Sequence, residues 1–194
     1  MVFEAGIFRG DKLLISGELI YVFADPQTQT SKPIPEALRH IMLIFEAGQS
    51  VVDLKMGAWA DMKTVAAALR HEVFVEEQEV PVELELDELD DQALHAVVFN
   101  KLGQSVATGR LLQAQTHVSK IGRMAVSKPL RGGNLGRKLV EAFIEVARQR
   151  GDHEVILHAQ CSAEGFYRKL GFKSHGDVFD DAGIDHIEMT LKLD

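Results

Sequence analysis

The sequence predicts an α/β (α+β) chain: helices flank a mixed, mostly antiparallel sheet, and a two-strand-plus-helix extension precedes it. Three observations carry the prediction. Lys120–Gly151 reads as strand, tight turn and amphipathic helix, with Leu135, Leu139, Ala142, Phe143, Val146 and Ala147 recurring at helical spacing. Near the end, Ile187, Met189, Leu191 and Leu193 alternate with Glu188, Thr190 and Lys192, the period of a half-buried strand. Strand and helix patterns follow one another in mixed order, without internal repeats, which suits a largely antiparallel sheet.

Taken in order, Val2–Phe8 and Leu13–Ala24 read as strands joined at Arg9-Gly-Asp11, and Leu13, Ile15, Leu19, Tyr21 and Phe23 share one face of the second. Asp25–Pro33 has turn chemistry. A helix opens at Pro35, which suits a first turn, and Gly48 ends it. The chain breaks near Ala47–Ser50, so residues 1–48 form the extension and residues 51–194 the main domain. There Val51–Met56 is a strand. Ala60–Glu76 is a helix with Met62, Val65, Ala66, Leu69, Val73 and Phe74 on its apolar face. From His71 to Asn100 there is no lysine or arginine, while Glu83, Glu85, Asp87, Glu88, Asp90 and Asp91 crowd together. Such a run either draws in a cationic amine or is a solvated loop. Leu94–Asn100 and Ser105–Gln113 form a hairpin, and Lys120–Val126 is a strand closed by Pro129. After the amphipathic helix come a strand at Glu154–Ala159, a helix at Ser162–Leu170 and a strand at Phe172–Gly176.

Composition narrows the function. The chain has 194 residues and a formal charge of −8, which argues against nucleic acid as the main partner, because phosphate binding needs a basic face. No apolar run reaches the length of a membrane span, and the start lacks a signal-peptide pattern. The single cysteine, Cys161, excludes an intrachain disulfide framework and fits a reducing, cytoplasmic setting.

The turn Arg131-Gly-Gly-Asn-Leu-Gly136 has a chemical use. Backbone N–H groups at a helix N-terminus lack intrahelical partners and point outward together, so they bind anions. Glycines allow close approach, and Arg131 and Arg137 add positive charge. The spacing matches neither the nucleotide-triphosphate loop nor the dinucleotide Gly-x-Gly-x-x-Gly. A plain strand–turn–helix is the alternative on the turn alone.

Three segments together resemble the GNAT acetyltransferases. Arg131–Gly136 is similar to that family's Arg/Gln-x-x-Gly-x-Gly/Ala pyrophosphate loop, with Asn134 in place of the central glycine. Asparagine tolerates the left-handed backbone better than most residues, so the turn is expected to keep its shape. Ala163-Glu-Gly-Phe-Tyr-Arg-Lys-Leu-Gly-Phe172 resembles the family's Ala-x-x-Phe-Tyr-x-Lys-Leu-Gly-Phe segment, and His71–Gln78 the first helix of its ElaA-like branch. The resemblance spans roughly Val51 to Leu193. It implies the GNAT fold, acetyl-CoA as cosubstrate and an amine acceptor, either a small molecule or a peptide. By the same resemblance, the backbone of Met124, Ala125 and Val126 pairs with the pantetheine arm. The groups from Arg131 through Gly132, Gly133, Asn134, Leu135 and Gly136 to Arg137 hold the pyrophosphate. Tyr167 lies by the sulfur, and Gln160 holds the pantetheine or the acceptor, or is a polar strand end. The first 48 residues resemble the C-terminal half of a hot-dog acyl-CoA thioesterase of the 4-hydroxybenzoyl type, which implies a homodimer.

Some relatives draw the amine's proton onto a glutamate of the hub strand, but Lys120–Val126 holds no carboxylate. Glu77 is the expected proton acceptor, with His95 the other candidate unless it is a satisfied core residue. The gap leaves a non-catalytic CoA-binding module as a rival, and the first 48 residues leave a remnant acyl-CoA thioesterase as a second. Cys161 with His158 lacks a third group for nucleophilic catalysis. His175, Asp177, Asp180, Asp181, Asp185 and His186 have no recognised metal spacing, so no metal is expected.

Overall fold

In the computed structural model, which describes Met1–Asp194, β1 (Val2–Arg9) pairs antiparallel with β2 (Lys12–Ile20), with Val2 opposite Ile20. The second strand is shorter than the sequence predicts. Past Ile20 the chain turns through Ala24, bridged to Ser31, and the Asp25 carboxylate accepts the N–H groups of Gln27 and Thr28. That local bonding competes with the ladder. Helix α1 (Glu36–Glu46) follows Pro35. Met1–Ser50 form one compact unit and Val51–Asp194 another. The strands of the first unit bury no residue, nor does α1, and Ile7, Phe8, Ile15, Ile20, Val22 and Phe45 are all more than half exposed.

The second unit is built on seven strands in the order β3 (Val52–Ala58), β4 (Leu94–Asn100), β5 (Ser105–Gln115), β6 (Val118–Val126), β7 (Glu154–Gln160), β9 (Ile184–Lys192) and β8 (Lys173–Asp181). Every neighbouring pair is antiparallel except β6 and β7. Successive residues of β4 face opposite ways, and two helices use this. Val97 packs with Trp59 and Ala66 of α2 (Trp59–Arg70). Ala96 and Val98 belong to the main core with Leu139, Val140, Phe143 and Ala147 of α4 (Leu135–Gln149). Phe143 is fully buried, and a side chain of its kind contributes about 1.5–3 kcal/mol by leaving water. Its ring needs a glycine beneath it: a Cβ on Gly109 would lie 2.9 Å from Phe143 Cε2.

Two elements depart from expectation. The helix predicted over Ala60–Glu76 is α-helical only to Arg70 and continues as a π-helical segment, His71–Glu77. Past the one-turn α3 (Val82–Glu85) the acidic run enters a 3₁₀ turn over Glu88–Gln92. The helix predicted over Ser162–Leu170 is a 3₁₀ turn followed by the short α5 (Glu164–Arg168). The strand predicted at Phe172–Gly176 runs on to Asp181, which places His175, Asp177, Asp180, Asp185 and His186 along the β8–β9 hairpin.

Candidate active site

The one parallel pairing is short. β6 and β7 pair only from Val118–Glu154 to Ile121–Leu157 and then diverge. A bulge drives them apart. Between the rungs Thr108–Ala125 and Arg110–Gly122, β6 carries one residue more than β5, and Arg123 takes a left-handed φ of 51°. The wedge opens into a cleft of about 290 Å³ lined by residues that include Phe74, Gln78, Lys120, Met124, His158 and Tyr167.

The open edge of β6 has a definite polarity. Ser127 donates its N–H to the Val106 carbonyl, so the Ala107–Val126 rung is of the wide kind. In an antiparallel ladder the N–H and C=O of such a residue turn away from the partner strand. Val126, and by alternation Met124, therefore present their backbone to the wedge, while Ala125 presents its own to β5. The expectation for Ala125 thus needs correction: its side chain is buried and its peptide groups serve the ladder. The Val126 carbonyl already accepts from Arg131 Nε at 3.1 Å.

Beyond Val126 a 3₁₀ turn, Lys128–Leu130, leads into Arg131. Gly132 has φ +84° and Asn134 φ +61°, so the asparagine sits in the left-handed conformation its side chain tolerates. No side chain caps α4. The first intrahelical donor is Lys138, bonded to the Asn134 carbonyl at 3.0 Å, which leaves the N–H groups of Leu135, Gly136 and Arg137 directed outward. Gly136 lies against Phe166, whose Cζ would be 3.4 Å from an added Cβ. Arg137 is bonded along the helix to Glu141 at 3.1 Å.

Tyr167, on α5, lines the cleft with its ring edge-on to Phe166 and Phe172. Burial pushes its phenol up to about 12, so it is a protonated donor throughout the neutral range. Gln160, at the end of β7, donates to Gln78 Oε1 at 3.0 Å and spans the mouth of the cleft. Glu77 is not among the cleft-lining residues. Both its oxygens are held by Arg131, at 2.6 Å each, and this keeps its carboxyl below the usual range. A carboxylate so engaged is a weaker base, which argues against the expected proton-accepting role. His95 is fully buried, packed on Trp59, with Nε2 at 2.9 Å from the Asp90 carbonyl, as a satisfied core residue would be.

Half of the acidic run, Glu85, Asp87 and Asp90, is consumed in ion pairs, while Glu83, Glu88 and Asp91 stay exposed. Arg70 binds Glu85 and reaches Asp90 at 2.8 Å. Arg110 holds Asp87 through Nη2 at 3.0 Å and Asp90 at 2.8 Å, and Arg123 reaches Asp87 at 2.8 Å. Three cations from α2, β5 and β6 thus supply what the segment itself lacks. Glu85, Asp87 and Asp90 are structural partners and not free charges for an amine. Sequence reasoning missed Arg110, Lys120, Arg123 and His158 as cleft residues. The signal was there for Lys120 and Arg123, charged residues in an otherwise apolar hub strand. For His158 it was the exposed parity of β7, since Leu157 and Ala159 are buried.

A model of the acetyltransferase (GNAT) domain matches residues 59–193. The chain is 36% identical over 131 residues to the YyaT protein of Bacillus subtilis, covering 66% of this chain and 87% of that protein. It is 34% identical over 129 residues to ElaA of Escherichia coli, covering 64% and 84%. The crystal structure of an acyl-CoA N-acyltransferase from Pseudomonas aeruginosa superposes with a TM-score of 0.64 at 33% identity, over 72% of this chain and 98% of that one. No helix here is long and apolar enough to cross a membrane.

Proposed function

The chain belongs to the GNAT family of acetyltransferases, and we propose that it moves the acetyl group of acetyl-CoA directly onto an amine. The observation that carries this reading is the wedge between β6 and β7, opening beside the uncapped start of α4. A pantetheine arm is a chain of amides and can extend the sheet along the open edge of β6, at Met124 and Val126. The N–H groups of the Arg131–Arg137 turn take the pyrophosphate, with the favourable end of the helix dipole behind them. That seating delivers the thioester to the cleft where Tyr167 and Gln160 stand.

The amine then attacks the carbonyl carbon. The C–N bond forms, the C–S bond breaks, and sulfur leaves as a thiolate. With the phenol at about 12 and a free thiol near ~8.5, complete proton transfer from Tyr167 to sulfur is uphill by roughly 5 kcal/mol. Tyr167 therefore acts as a hydrogen-bond donor to the developing charge. Gln160 steadies the pantetheine or the acceptor with its amide.

Calorimetry with acetyl-CoA tests the seating. Gly136→Glu places bulk and negative charge at the pyrophosphate and is expected to weaken binding by tenfold or more. Arg131→Ala weakens it less, and Asn134→Gly, which keeps the left-handed turn, leaves it unchanged. Full affinity in Gly136→Glu would overturn the assignment.

For residues 1–48 the proposal is a hot-dog-like assembly element in a cytoplasmic homodimer. Its support is the apolar surface that β1, β2 and α1 leave exposed, which at that extent marks an interaction site. The free thiol of Cys161 fits the compartment.

A further inference from the structure

We infer that His158 accepts the proton of the attacking amine, with Glu188 behind it to hold the imidazolium. The inference rests on the acetyl-transfer reading and adds to it the base that β6 does not supply. His158 is the first residue of β7 past the last β6–β7 rung, Ile121–Leu157, so it stands at the vertex of the wedge. Its neighbours Leu157 and Ala159 are buried in the core, and by strand alternation its ring turns to the other face, where it lines the cleft.

The surroundings suit a proton acceptor. Glu188 is its cross-strand partner on β9, with Oε2 3.6 Å from Nε2. Lys120 of β6 stands 3.3 Å from Nε2 and 3.4 Å from Nδ1. Asp181 and Phe179 approach from β8, the latter edge-on at 5.0 Å, and Phe179 in turn stacks on His186 of β9. Burial, and next the charge of Lys120, hold the imidazole below its ordinary range, so it is neutral and able to accept near pH 7. The Lys120 ammonium opposes any second cation beside it, the substrate ammonium and the imidazolium alike, and for the ring the carboxylates of Glu188 and Asp181 offset it. The other candidates are engaged elsewhere: Glu77 with Arg131, and His95 with the Asp90 carbonyl.

The step balances. The ammonium passes one proton to a ring nitrogen of His158. The freed lone pair attacks the thioester carbon, the C–N bond forms and the C–S bond breaks. The attacking nitrogen, cationic once the C–N bond has formed, gives its second proton to water, so that the product is the neutral amide. The sulfur departs as thiolate, and His158 returns the first proton to solvent.

The test uses the full chain, acetyl-CoA and the fastest amine from a panel of alkyl and aralkyl primary amines. The ratio kcat/KM for the amine is followed against pH in wild type and His158→Gln. At pH 7 the variant is expected to lose about 10²-fold, the low end for a general base. The gap closes as pH approaches the amine's own pKa of ~10, where free amine forms unaided. The wild-type acid limb set by His158 is replaced in the variant by a steady climb toward the amine's own pKa, and the Kd for acetyl-CoA does not change. A variant that keeps the wild-type acid inflection, or loses the same factor at every pH, overturns the assignment while leaving acetyl transfer intact. Wild type that binds acetyl-CoA without amine-dependent turnover overturns both. A direct NMR titration of the His158 ring guards against a misfolded variant, since a pKa above 7 would also overturn the role.

Discussion

Arg131 grips Glu77 with both ends of its guanidinium, Nη1 to Oε1 and Nη2 to Oε2, while its Nε donates to the Val126 carbonyl. One side chain ties the π-helical segment after α2 to the end of β6 and to the start of the phosphate turn. In the proposed seating of acetyl-CoA, the pyrophosphate competes with Glu77 for the same donors. Glu77→Gln weakens the internal competitor, so the Kd for acetyl-CoA is expected to fall about two- to five-fold, the range an exposed ion pair is worth. Calorimetry showing an unchanged or higher Kd would contradict the competition.

Tyr167 gives two readouts. Tyr167→Phe keeps the ring and removes the donor, so kcat is expected to fall by ~10²–10³ with little change in acetyl-CoA affinity. An unchanged rate in single-turnover kinetics contradicts the role. The second readout is stability at high pH. The folded phenol, at about 12, lies above its unfolded value of ~10. The neutral form is thus favoured by folding, and its contribution is fully present below pH ~10 and lost as pH rises toward about 12. With Tyr21 replaced by Phe to remove the other tyrosine, no phenolate absorbance is expected before that window or before unfolding.

The clamp on the acidic segment is a stability element. Arg110 is 5% exposed, with its Nη1 shared between Asp87 and Asp90 and its Nε unpartnered. Arg110→Met leaves Asp90 with one guanidinium and Asp87 with only the half-exposed Arg123. Removing one member of a buried pair costs about 3–5 kcal/mol. Urea denaturation showing a loss below about 1 kcal/mol would mean that water or Arg123 replaces it.

The sequence disclosed the architecture where periodicity was strong. The apolar stripe of α4 and the alternation of β9 are one-dimensional patterns that survive folding unchanged, and the glycine turn was legible because only a few residue types take its positive φ. The site was half legible. Tyr167 and the turn stood out by pattern. Glu77 misled because its partner, Arg131, lies far along the chain, and an ion pair of that kind leaves no periodic trace. The acidic run misled for the same reason: its neutralising arginines come from three other elements. His158 was passed over because its meaning depends on where two strands part, which is set by a bulge at Arg123 that the residue types do not announce.

The extension makes a separate prediction. If residues 1–48 join two chains, sedimentation at micromolar concentration is expected to find the full chain dimeric and a version starting at Gln49 monomeric. A monomeric full chain refutes the dimer. A dimeric shortened chain shows that another surface joins the two.

The most direct measurement of the central claim is release of the CoA thiol from acetyl-CoA, followed with a thiol-reactive dye in the presence and absence of primary amines, with the product weighed by mass spectrometry. The account predicts release that depends on the amine, matched one for one by an amide product. Release without any amine would mean hydrolysis. Tight binding of acetyl-CoA with no release under any amine would mean a binding module, and either result contradicts acetyl transfer.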